Sequence, residues 1–82
     1  MRVYTVLIER PQREGDSYGA YCPDLPGCIA TGATEAEVLD LMVEAIELHL
    51  EGMAEDGDAI PENTVRAIEV AVREPHRRPA AA

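Results

Sequence analysis

Few residues in this 82-residue chain are equipped for chemistry: two cysteines (Cys22, Cys28), two histidines (His49, His76) and sixteen carboxylates. The cysteines bracket the loop CPDLPGC, and an acid-rich run begins at Thr34. A structural zinc ion takes four protein ligands, and a catalytic one takes three with an open position. Cys22 and Cys28 have no further cysteine to join them, and the C-x5-C spacing is neither a zinc pair nor the C-x-x-C of a redox motif. Asp24 and Glu35, the charged neighbours of Cys28 in sequence, would raise a thiol pKa rather than activate it. A cross-strand disulfide is open to the pair in principle, but reduced thiols packed as small hydrophobes are the expectation. His49 falls at the edge of an apolar helical arc, where a packed imidazole is commoner than a general base. The sequence lacks a P-loop and a glycine-rich dinucleotide fingerprint. No enzyme activity, metal or other cofactor is expected.

Charge narrows the partners. Sixteen acids against seven Arg, with no Lys, leave the chain at −9. Up to Val72 there are four Arg and fifteen acids, or −11. Neutralising a phosphate backbone needs a basic stripe, so direct nucleic-acid binding is not expected. A basic protein is the electrostatic complement, although acidity alone also keeps a small protein soluble. The opening MRVYTVLIERPQ has too short an apolar run for a secretory leader. No stretch approaches the roughly 20 apolar residues of a membrane span. A cytoplasmic protein with reduced thiols is expected.

The elements that must position these residues follow from pattern. RVYTVLIE (2–9) reads as an apolar strand covered on both faces. YGAYC resumes strand character, PDLPG turns the chain and CIATG runs back, giving a three-stranded meander. Thr34 opens a long helix, with Glu37 completing a capping box and Gly57 as the C-terminal stop. TVRAIEVAV (64–72) alternates as a fourth strand. The predicted fold is α+β, in the order β-β-β-α-β. A crossover would place the last strand beside the first, for a sheet order of 3-2-1-4. The domain is taken as 1–72, with a frayed tail over 73–82.

On the helix, Asp40, Glu44, Glu47 and Glu51, with Glu37 and Glu55 at the edge, form an acidic stripe about 80° wide. Leu39, Met42, Val43, Ile46, Leu50 and Met53 make one apolar band, and Val38, Leu41, Ala45 and Leu48 make a second. The apolar arc is about twice the roughly 100° that one packing face needs. The second band is therefore read as a homo-oligomer seam. The competing reading is that residues after Gly57 fold over it.

CPDLPGC, then Gly32, Thr34, Glu35 and Glu37, then EAIELHLEGM and IPE, resemble the HicB-like antitoxin family over about residues 3–72. The resemblance implies a partial RNase H-like fold and a small, basic, RNA-cleaving toxin partner (HicA-like), itself built like a double-stranded-RNA-binding domain. RNase H chemistry needs carboxylates on the central strand; the first strand has none in its middle and the fourth offers only Glu69. Many relatives carry a C-terminal DNA-binding domain, for which the ten residues after Val72 are too few. The expected function is sequestration of such a toxin by masking its RNA surface. Asp40, Glu44, Glu47 and Glu51 would make the contact, together with Leu25, exposed at the loop tip. The alternative is a free-standing homo-oligomeric regulatory or small-ligand-binding module with no toxin.

Overall fold

Two successive proline turns organise the chain. In Cys22–Leu25 the Leu25 N–H donates to the Cys22 carbonyl at 3.1 Å, and in Leu25–Cys28 the Cys28 N–H donates to the Leu25 carbonyl at 3.0 Å. Each turn has a proline at its second position, where a fixed negative φ fits. Gly27 stands third in the second turn with φ +86°, the left-handed value that a type II turn requires. The Cys22 N–H closes the loop on the Cys28 carbonyl at 3.3 Å. Leu25 is the corner shared by the two turns, and the double bend drives it inward until it is 1% exposed. The expectation of an exposed Leu25 at the loop tip is thus overturned: it plugs the core.

The structure is a computed structural model, and it describes residues 1–76. Three antiparallel strands, β1 (Leu7–Glu9), β2 (Tyr18–Tyr21) and β3 (Ile29–Gly32), precede one helix, α1 (Glu35–Glu55). The sheet order is β1-β2-β3, with Leu7 opposite Tyr21 and Tyr21 opposite Ile29. The α+β class and the meander match the sequence reading, but β2, not β1, is central. β1 is also shorter than 2–9. Leu7 pairs with the last residue of β2, and the chain beyond Tyr21 enters the proline turns, so residues before Leu7 have no strand opposite them. Val3 is 75% exposed in consequence.

The helix begins and ends where its sequence says it must. The Thr34 hydroxyl accepts the Glu37 N–H at 3.1 Å, while Glu37 Oε2 accepts the Ala33 N–H at 3.2 Å, one residue before the cap. Gly32 ends β3 directly against this first turn: a Cβ there would lie 3.1 Å from the Val38 nitrogen. At the other end, Gly57 takes φ +75°. Its N–H reaches the Ala54 carbonyl and that of Asp58 reaches Met53, the paired bonds of a Schellman motif. The helix lays Val38, Met42 and Ile46 on the sheet, against Ala20, Cys22, Leu25 and Cys28.

After the helix the chain is pinned to one end of the sheet. The Tyr4 hydroxyl donates to the Pro61 carbonyl, and the Thr5 hydroxyl to the Val65 carbonyl at 2.7 Å. Thr64 gives both its N–H (2.9 Å) and its hydroxyl to the Asp24 carboxylate. The Asn63 amide nitrogen, turned toward Val65, Thr5 and Asp24, satisfies all three. Past Val65 the chain leaves the body. Residues 64–72 form no strand, so the fourth strand is missing from the isolated chain and the 3-2-1-4 order is not formed. Of the tail 73–82, residues 73–76 are exposed and irregular; residues 77–82 lie outside the described residues. The radius of gyration is 17.6 Å, with extents of 64 × 30 × 22 Å, against about 12 Å for a compact chain of this length.

Two outcomes follow from this packing. Leu25→Ala empties the largest fully buried side chain, and chemical denaturation is expected to show a loss of about 3 kcal/mol, enough to leave a small domain mostly unfolded. The Thr64 hydroxyl, and then its backbone N–H, hold the Asp24 carboxyl below its usual pKa. A depressed folded-state pKa stabilises above the unfolded value, near 3.9, and that contribution is lost as pH falls through the lower folded value. The urea midpoint of the chain is therefore expected to fall on acidification through this range, and to fall less steeply in Asp24→Asn, which starts lower.

Candidate partner-binding surface

The helix presents different chemistry on each side. With Val38 (0%), Met42 (0%) and Ile46 (9% exposed) toward the sheet, the 100° rotation per residue carries Asp40, Glu44, Glu47 and Glu51 to the opposite side. All four are exposed. Among the described residues the one ion pair is Arg2 with Glu62, at 3.6 Å. Among the described residues none of the four stripe carboxylates forms an ion pair, although Arg2 lines the same groove as Glu47.

The second apolar band does not survive as one surface. Val38 is fully inside the core, because the buried stripe straddles the two bands read from the sequence. Val38 is therefore removed from any oligomer seam. Ala45 is half-buried against the core, while Leu41 and Leu48 are 36% and 73% exposed. The chain after Gly57 runs to Tyr4, Thr5 and Asp24 and leaves Leu48 uncovered. Leu48 and Ala45 meet Ile29, at the β3 edge, around a shallow depression of about 280 Å³ that also includes Gly27, Cys28 and His49. Exposed Ile29 and Leu48 give this depression apolar walls next to the acidic stripe.

Cys22 sits beneath this surface, and Cys28 lines the floor of the depression while remaining buried. Cys22 and Cys28 are both free and buried. Burial first, and the neighbouring Cys22 second, push the Cys28 thiol above its ordinary pKa. The direction matches the sequence expectation, but the cause is desolvation, not Asp24 or Glu35. A neutral buried thiol is a poor nucleophile, although half-buried His49 lies in the same depression. Among the described residues no three His, Cys, Asp or Glu side chains are grouped so as to hold a metal ion, and no helix is long and apolar enough to cross a membrane. The exposure of Leu48 agrees with the outward band read from the sequence, whereas that of Val43 does not, because helical periodicity tells how wide the apolar arc is, not which part the sheet takes.

Comparison with known proteins adds identity to this geometry. A family described as "HicB_like antitoxin of bacterial toxin-antitoxin system" matches residues 4–80. The chain is 38% identical over 61 residues to an "Uncharacterized 14.9 kDa protein in rep-hol intergenic region" of Haemophilus phage HP1, covering 74% of this chain and 44% of that one. It is 40% identical over 58 residues to a UPF0150 protein of Synechocystis, 71% of either chain. It is 34% identical over 67 residues to a UPF0150 protein of Thermoplasma acidophilum, covering 82% of this chain and 94% of that one. The chain thus spans under half of the phage relative and most of the other two. No solved structure matches it significantly. On the family match and these relatives, the chain belongs to the HicB-like antitoxins.

Proposed function

We propose that the chain is a binding protein that sequesters a small basic RNA-cleaving toxin, HicA-like in kind, by covering its RNA-binding surface in the cytoplasm. The observation that carries this is the unpaired stripe Asp40, Glu44, Glu47 and Glu51 in a member of an antitoxin family. A protein surface built to hold RNA phosphates is basic, and a row of exposed carboxylates competes for the same cations. Charge complementarity of this kind acts mainly on the rate of encounter and on partner choice. The apolar side chains beside the stripe, Leu41 and Leu48, with Ile29 across the depression, supply contact area that carboxylates cannot. In this reading the chain holds and masks; it performs no reaction, and its thiols serve packing. The whole-protein role of its longer phage relative is not needed for it.

The test is co-expression with the small basic reading frame adjacent to this gene, followed by purification through a tag on this chain and measurement of association rates. Co-elution of a partner that cleaves RNA when alone is the expected result. Asp40→Lys, Glu44→Lys, Glu47→Lys and Glu51→Lys together are then expected to slow association by about tenfold or more at low salt and to flatten its salt dependence. A chain that elutes without a toxic partner overturns the antitoxin role. Co-elution with an unchanged association rate keeps the role and moves the contact off the stripe.

A further inference from the structure

The segment after Val65 has the sequence of a strand and no sheet to join. Arg66, Ile68, Val70 and Val72 alternate with Ala67, Glu69 and Ala71, the period of a half-buried strand. Ile68, Val70 and Val72 are 66%, 76% and 80% exposed. None of the hydrogen bonds among the described residues involves 66–76. An apolar strand with open backbone groups is a template for pairing, and some surface must take it up.

The β1 edge has the matching deficiency. Among the described residues no strand lies outside β1. Next to it a groove of about 480 Å³ separates the N-terminal segment from the helix, lined by Tyr4, Val6, Val43, Ile46 and Leu50, with Met1, Arg2 and Glu47 also in its wall. Val43 is 57% exposed there. A strand added at this edge would turn alternate side chains toward the helix and fill the groove with Ile68, Val70 and Val72. The segment 66–72 is itself neutral (Arg66, Glu69), but the residues that follow it, 73–82, carry three Arg and one Glu, for +2, whereas residues 1–65 carry three Arg and fourteen acids, for −11. The arm is the basic part of an acidic chain. Its own root, however, is held at the end of the sheet by Thr64 on Asp24 and Val65 on Thr5, and from there it extends away from the body.

We propose that the arm of one copy adds as the fourth strand to the β1 edge of a second copy, reciprocally, forming a two-fold dimer by arm exchange. Exchange of an identical element is an inexpensive route to a symmetric pair, and it completes the 3-2-1-4 sheet with each chain supplying its neighbour's last strand. The dimer leaves the Leu41–Leu48 flank free. The inference stands apart from the antitoxin reading, since it concerns the chain alone.

Complementation between two full-length variants tests it. Ile68→Asp with Val70→Asp spoils the arm, and Val43→Asp spoils the groove. Light scattering is expected to give twice the 8.9 kDa chain mass for the unaltered protein, the single-chain mass for each variant alone, and a 1:1 dimer when the two are mixed, because one intact arm then meets one intact groove. Amide exchange on the unaltered chain gives a reading independent of how the variants fold: amides 66–72 are expected to be protected, and to lose protection on dilution. A monomer with an unprotected arm overturns the proposal. So does a monomer with a protected arm, which would have found its own sheet, or a dimer indifferent to Ile68→Asp and Val70→Asp, which would use another surface.

Discussion

Three strands of three or four residues are all that the 21-residue helix has to lie on. At 1.5 Å per residue the helix runs about 31 Å, while a four-residue strand covers about 13 Å. One narrow sheet face can therefore bury a single stripe, and Val38, Met42 and Ile46 occupy it. Leu25 enters from the side to close what the small residues Ala20, Cys22 and Cys28 leave open. Every other apolar side chain on the helix must be half-covered or face outward, as Leu39, Leu41, Val43 and Leu48 do. A chain of this length buries only a little over 60% of its unfolded surface. The free apolar flanks and the unpaired arm share that origin: the body is too small to cover its own helix.

The residues that carry the family likeness do structural work. The two prolines set up consecutive turns, Leu25 fills the core, Gly32 admits the helix at a distance a Cβ would crowd, and Thr34 with Glu37 caps its first turn. None of them has to touch a partner. The family signature thus keeps the helix start docked on β3, and the outward helix positions are free of that structural work.

What could be read in advance follows the range of the interactions. Helix limits are local, and Thr34, Glu37 and Gly57 announced them. The turn at PDLPG was equally legible, as was the acidic stripe on a single helix face. Leu25 was not, because only the closure of two turns on one residue sends a loop-tip side chain inward. Val38 was assigned to an outer seam because periodicity cannot say which part of a wide apolar arc meets the sheet. The length of β1 and the place of residues 64–72 were out of reach for another reason. Both depend on what lies across the sheet edge, and a strand pattern is silent on whether its neighbour comes from the same chain.

The central claim is that this body is completed by a second chain. Thermal unfolding of the protein alone, over about a hundredfold range of concentration, tests it most directly, because association with the folded state alone makes the midpoint depend on concentration. The account predicts a Tm that climbs by several degrees from the most dilute sample to the most concentrated. A Tm that stays fixed over the whole range would mean that the single chain is the complete folding unit, and would contradict it.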